Sequence, residues 1–308
     1  MPVILLSSRR ARQYHRRAMK VSGFTFLRNA QKLGYPFTES IRSLLPIVDE
    51  YIIALGPSDD QTEQMLLQIG DPKIRIIHTQ WNERIRNDLK VKGFVYGQQK
   101  SIALFNCTGD WAFYLEGDEV VHEEDLPKIQ AAMRQHLDNP EVEALFFNYL
   151  HIYGNRNTYV WCPGSYRTAP RILRNTIPAW APKGLFFIVL DKPKRGRYPK
   201  AASAQARIFH YGFVRSAEQM ALKNAAVYKY WGDTPEEFDY GEIDPYVLQP
   251  FAGTHPRVME KWLPAAQGLY QPNPNHKLTR EEIRHRIMLK IESWTGAEFS
   301  HKHYKRVA

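Results

Sequence analysis

Cysteine is scarce in this 308-residue chain, which holds Cys107 and Cys162 and no others. Two such distant residues give no disulfide framework and no zinc-ligand spacing, and they fit a reducing compartment, the cytoplasm. Long apolar runs are also missing. No stretch of eighteen apolar residues occurs, so the sequence predicts no transmembrane helix. Acid is missing from two segments. Residues 1–20 carry Arg9, Arg10, Arg12, Arg16, Arg17 and Lys20 without one Asp or Glu, and residues 148–183 contain no Asp or Glu at all. Tandem repeats and low-complexity tracts are absent.

The first of these gaps explains most of the charge. The net charge is +10, of which residues 1–20 supply +6, so the other 288 residues carry 10 − 6 = +4. The main body is therefore only mildly basic, which excludes a broad nucleic-acid-binding surface. Residues 1–19 read as a disordered basic leader. Their apolar run, residues 3–6, is too short for a signal-peptide core and precedes the basic cluster instead of following it. A second role for the leader is peripheral contact with anionic lipid on the inner face of a membrane. There each basic residue contributes about 1 kcal/mol. What the chain does have is 44% hydrophobic and 13% aromatic residues, enough for one large ordered domain or two modest ones.

The first half alternates strand and helix. Residues 20–27 (KVSGFTFL), 51–55 (YIIAL), 73–78 (KIRIIH) and 111–115 (WAFYL) read as strands. Helices are expected from Pro36, after Ser58-Asp59-Asp60, and over residues 96–106. This alternation predicts an α/β fold with a mostly parallel central sheet flanked by helices. Ligands bind such sheets beyond the carboxyl ends of the strands. Three of those ends carry polar clusters: Arg28-Asn29, Ser58-Asp59-Asp60, and Glu116-Gly117-Asp118-Glu119. Carboxylates there can hold a hard divalent cation against a phosphate. Their competing role is a surface turn before a capped helix.

These clusters, in this order, resemble the family-2 glycosyltransferases of bacterial surface-glycan type. The matching pieces are FTFLRNA, ALGPSDDQT and the helix GQQKSIALFNCTGDW running into the acidic turn. The resemblance covers residues 20–126 and extends with RIFHYGFVR and PFAGTHPRVMEKWL. It implies the Rossmann-like glycosyltransferase A fold and a nucleoside-diphosphate sugar donor. Mg²⁺ or Mn²⁺ would be the cofactor, and a hydroxyl of a bacterial glycan or lipid-linked glycan the acceptor. Residues 20–215 would form the catalytic domain and residues 216–308 a mainly helical acceptor-side extension. Asp118 matches the metal-binding carboxylate of the family's Asp-X-Asp motif, and His210 is a second candidate ligand. Phe26, Arg28, Asn29, Ser58, Asp59, Lys100, Glu116 and Gly117 fall where the nucleotide would bind. Two departures stand out: Glu116 replaces the usual first Asp, and residues 54–56 lack the acid that reads the nucleobase.

An inverting transfer needs a general base. The acid-free stretch 148–183 leaves Glu119, Asp191, His151 or an acid of the carboxyl-terminal third as candidates, of which Glu119 and Asp191 are taken first. Arg171 and Lys223 could meet a phosphate or an acceptor carboxylate, and each reads more readily as a solvated surface charge. A nucleotide-sugar-binding module without turnover is the main alternative. A nucleotidyltransferase on a related fold is another, although it would need a Gly-rich basic loop that residues 23–30 do not supply.

Overall fold

The computed structural model of the protein describes residues 18–85, 92–231, 238–263 and 273–307. The basic leader expected over residues 1–19 therefore lies almost wholly outside them. In the described part, no helix is long and apolar enough to cross a membrane.

The first half folds as its alternation predicts. Strand β1 (Val21–Leu27) leads to helix α1 (Phe37–Leu44), β2 (Glu50–Leu55), α2 (Thr62–Leu67), β3 (Ile74–His78), α3 (Phe94–Phe105) and β4 (Trp111–Tyr114). Pro36 precedes α1, and the Leu45-Pro46-Ile47 turn ends it because a proline ring cannot continue a helix. The four strands lie in the order β3, β2, β1, β4, all parallel. Both sheet faces are covered, so β2 has no alternation: Tyr51, Ile52, Ile53, Ala54 and Leu55 are all buried.

Beyond β4 the sheet changes direction. A turn leads into β5 (Glu119–Val121), then come α4 (Leu126–Gln135), β6 (Ala144–Tyr153), β7 (Thr158–Val160) and β8 (Thr168–Arg174). Strand β8 pairs antiparallel with both β4 and β6, which attaches this second half to the parallel one. Strands β9 (Ala179–Lys183), β10 (Phe186–Lys192) and β11 (Arg195–Arg197) form a separate antiparallel sheet. It packs on α3 at Gly97, where a Cβ would stand 2.5 Å from the Ala181 carbonyl oxygen. The long strand β12 (Lys200–Phe213) then runs parallel to β6 and antiparallel to β5.

Helix α5 (Ala217–Trp231) follows, with Ser216 Oγ accepting the Gln219 amide. After β13 (Leu248–Pro250) comes α6 (Arg280–Thr295), which opens on a capping box formed by Thr279 and Glu282. The short strand β14 (Lys305–Arg306) lies against the start of β12. The fold is thus the expected α/β one. Its parallel half is continuous with a second half of mixed strand direction, whose pairing the sequence does not show.

Candidate active site

A cleft of about 540 Å³ opens beyond the carboxyl ends of β1 and β4. One wall is aromatic. Phe26 leaves β1 toward the cleft, and Trp81, Tyr96 and Tyr230 pack edge to face, with ring centroids 5.2–5.5 Å apart. Gly56 makes room for this group, since a Cβ there would collide with the Trp81 indole. Arg28 stacks over Trp81 and bonds to Glu83 and the Tyr230 hydroxyl. Lys229 reaches Glu83 as well, at 2.9 Å, so the end of α5 is latched across the cleft. Burial works against the Glu83 carboxylate, but Arg28, Lys229 and Tyr230 outweigh it and hold its pKa at about 2.

The opposite wall is ionic. The turn after β4 presents Glu116, Gly117 and Asp118 to the cleft before the chain enters β5. Pairing of β5 with β12 sets Glu119 opposite His210, and the Tyr211 amide donates to the Asp118 carbonyl at 2.8 Å. Asp118 Oδ1 then faces His210 Nε2 at 3.7 Å. Its other oxygen meets Lys223 Nζ at 3.1 Å and Arg215 Nη2 at 3.5 Å. Burial opposes the Asp118 carboxylate, yet Lys223, His210 and Arg215 together hold its pKa well below the usual range. Burial and the Arg215 charge bring the Lys223 ammonium down as well, to about 8. Arg215 itself is fully buried and lies over the Tyr35 ring, 4.9 Å from its centre.

A chain of imidazoles fixes the state of His210. His151 Nε2 lies 2.8 Å from the Tyr166 carbonyl oxygen, which can only accept, so that nitrogen carries the proton. Burial and the neighbouring His210 drive the His151 pKa down to about 3, so the ring is neutral and its Nδ1 holds a lone pair. That lone pair accepts the Nδ1 proton of His210 across 2.9 Å. His210 is also kept neutral by burial. Its Nε2 lone pair therefore points at Asp118, so two acceptors face each other with no proton between them. Such a pair suits a cation. Among the described residues no three acids, histidines or cysteines converge on one point. Two protein donors are nevertheless the usual number where phosphate oxygens and water complete the shell of a small divalent ion.

Beneath the cleft lies a sealed ionic layer. Arg171 donates to both oxygens of Glu119, at 2.6 and 2.8 Å, and reaches Glu116 at 3.3 Å. Tyr149 gives Glu119 another hydrogen bond, at 2.8 Å. Glu119 is completely buried and its oxygens are taken, so it cannot serve as the base expected of it. Burial disfavours its charge, but Arg171 more than compensates and lowers its pKa. Glu116 goes the opposite way: burial and the Glu119 charge raise it to about 7. Asp191, the second expected base, lies on β10 outside the cleft lining, half exposed and 4.0 Å from Arg197.

The nucleotide candidates divide in the same way. Phe26, Arg28, Asn29, Glu116 and Gly117 line the cleft, as do Asp118 and His210. Ser58, Asp59 and Lys100 do not. Ser58 Oγ accepts the Asn29 amide, and Asn29 Oδ1 accepts the Asp59 amide, so these residues tie the β1 and β2 loops together. Asn29 has φ of 50°, a left-handed conformation that asparagine tolerates. Lys100 is fully buried between the Tyr114 and Phe187 rings and donates to the Gly184 carbonyl. Arg171 is a buried and Lys223 a half-buried member of the site, and neither is the solvated charge that its sequence setting suggests. Tyr35, Trp81, Tyr96 and Tyr230 were not singled out from sequence. Aromatics in loops and helix ends carry no periodic signal that would separate them from core residues.

The sequence pattern of "Glycosyl transferase family 2" matches residues 28–188. No curated protein matches the chain. Among solved structures, S. aureus TarS is similar at 17% identity and a TM-score of 0.33, covering 51% of this chain and 28% of TarS. Glucosyl-3-phosphoglycerate synthase from Mycobacterium tuberculosis, in complex with Mn²⁺, UDP and phosphoglyceric acid, is 18% identical with a TM-score of 0.30. That match covers 43% of each chain. Mannosyl-3-phosphoglycerate synthase from Rubrobacter xylanophilus is 18% identical, TM-score 0.29, over 45% of this chain and 42% of that one. The chain thus spans less than half the length of these proteins.

Proposed function

The chain belongs to glycosyl transferase family 2, and from that premise we propose that it moves a sugar from a nucleoside diphosphate to a hydroxyl of a glycan or lipid-linked glycan, in the cytoplasm. The observation that carries this is the facing pair, Asp118 Oδ1 and the His210 Nε2 lone pair, set beside Lys223 in a cleft with an aromatic wall. Asp118 and His210 would hold Mg²⁺ or Mn²⁺, which when bound supplies Lewis-acid stabilisation of the departing diphosphate. The aromatic wall offers faces for a nucleobase, which suits a β2 end without an acid.

In the step itself, the acceptor oxygen forms a bond to the anomeric carbon as the bond from that carbon to the β-phosphate oxygen breaks. The electron pair stays on the phosphate oxygen, and the Lys223 ammonium lies close enough to the Asp118 corner to stabilise it. The proton of the acceptor hydroxyl needs a carboxylate. Asp118 is already engaged with Lys223 and Arg215, whereas among the described residues the Glu116 carboxylate pairs with Arg171 alone, at 3.3 Å, so we assign Glu116 as proton acceptor in a single inverting displacement. Residues 20–215 would form the donor-binding body and residues 216–308 an extension that contributes Lys223 and the Tyr230 latch.

The test is a screen of nucleoside-diphosphate sugars for Mn²⁺-dependent binding and hydrolysis, followed by product analysis with candidate glycans. One donor should bind and be turned over, and Asp118→Asn should lose metal-dependent binding. Binding without turnover on any acceptor would leave a nucleotide-sugar module instead of an enzyme. Unchanged metal-dependent binding in Asp118→Asn would overturn the site.

A further inference from the structure

Helix α6 has its polarity reversed. A helix on a protein surface ordinarily turns its apolar residues inward. The inward residues here are polar and paired: Glu292 bonds to buried Arg167, Arg286 to buried Asp244, Glu282 to His276, and buried His285 contacts the Cys162 sulfur. Met288 and Leu289 are half-buried, and the four other apolar residues face out. Ile283, Ile287, Ile291 and Trp294 are 47%, 54%, 41% and 89% exposed. Spacings of four, four and three residues place them within an arc of about 80° on the helix.

The charges on that outer face have one sign. Arg280 falls inside the arc, and Arg284 and Lys290 lie at its two margins. All three are exposed, and among the described residues none has an ion pair. The helix's acids are elsewhere: Glu281 pairs with His285, and Glu282 and Glu292 are turned to the body. Exposed isoleucines with a tryptophan near one end and basic residues at the margins suit the boundary of headgroups and acyl chains, where the rings and aliphatic stems enter and the cations meet phosphate. A second copy of the chain fits less well, because a self-complementary contact would bring Arg280, Arg284 and Lys290 against their own kind.

We propose that the outer face of α6 is a docking surface for an anionic lipid bilayer, entered by Ile283, Ile287, Ile291 and Trp294 and held by Arg280, Arg284 and Lys290. Helix α6 packs on residues 162–167, and the Tyr166 carbonyl in that segment is the acceptor that orients His151. Docking by α6 would bring a bilayer to the side of the protein where this imidazole relay begins. The inference stands on the helix surface alone and does not depend on the transfer chemistry.

Co-sedimentation of the full chain with vesicles tests it, using equal parts phosphatidylglycerol and phosphatidylcholine against phosphatidylcholine alone. The chain should pellet with the anionic vesicles only. The triple variant Arg280→Glu, Arg284→Glu, Lys290→Glu should lower the partition coefficient by at least about a hundredfold, since losing each basic charge removes about fivefold and each new carboxylate is repelled. The variant Ile287→Glu, Trp294→Glu should also abolish pelleting, while both variants keep the wild-type circular dichroism spectrum and melting temperature. Equal pelleting of wild type and both variants would overturn the proposal and assign any lipid contact to another part of the chain. So would a wild type that stays in solution with both vesicles. A wild-type dimer that Ile287→Glu dissociates would overturn it too, by giving the face to a second copy.

Discussion

His210 donates its Nδ1 proton to His151 across 2.9 Å, and that bond decides which of its nitrogens faces Asp118. The relay begins at a backbone carbonyl, that of Tyr166, so its direction is set by the fold and not by pH near neutrality. The donor set is thereby arranged before any ligand arrives.

Replacing His151 should therefore weaken metal binding without touching either of the two proposed ligands. His151→Phe removes the acceptor for the His210 proton and frees the ring to present either nitrogen. An outer partner of a metal-binding histidine typically alters affinity about 10–100-fold when lost. Titration of Mn²⁺ into the protein with a nucleoside diphosphate, followed by electron paramagnetic resonance, measures this directly. An unchanged Mn²⁺ affinity in a folded variant would remove the relay from the site.

Lys223 should matter to the diphosphate more than to the base. Lys223→Met deletes a charge-assisted contact of about 1.5–3 kcal/mol, which corresponds to a loss of roughly 10–150-fold in affinity for a nucleoside diphosphate. Affinity for the nucleoside alone should stay the same. Calorimetry with both ligands separates the two, and an equal loss for both would show that the substitution damaged the cleft generally.

The buried layer beneath the cleft is expected to behave as a unit. Arg171→Met leaves Glu119 ionised and unpaired in a dry interior, a change that costs about 3–5 kcal/mol. Adding Glu119→Gln removes the stranded charge, so the double variant should recover much of the stability lost by the single one. Urea unfolding of the three proteins decides this. Additive losses would mean that the pair is not coupled.

The latch at Glu83 gives a pH signature. Its folded pKa of about 2 lies below the unfolded value of about 4.3, so its stabilisation is complete above the unfolded value. It is lost as pH falls toward 2. The Glu83 side chain is 37% exposed, which screens the pairing and keeps the effect small. The stability difference between wild type and Glu83→Gln should be constant from pH 7 to 5 and shrink below that. A difference that instead grows in acid would contradict the pairing.

Much of this architecture can be read from the residues, and the gaps have identifiable causes. The strands ending at Leu27, Leu55 and Tyr114 are short apolar runs stopped by polar clusters, a local signal that needs no partner. Asp118 could be singled out because it follows a strand end, and His210 through the family resemblance, although it lies within β12. Their meeting could not, because it depends on β5 pairing with β12 some ninety residues later. Lys223 looks solvated in a polar helix and is half-buried only because α5 folds back over the cleft. Glu119 looks like a free acid until Arg171 and Tyr149 arrive from β8 and β6.

The carboxylate of Asp118 and the ring of His210 come from distant parts of the chain, joined through one antiparallel seam. A polypeptide split after Lys192 would leave the acid on one fragment and the imidazole on the other. Neither piece alone would own the corner. Reassembly of the two fragments in a tube would have to restore that seam before a cation could settle there.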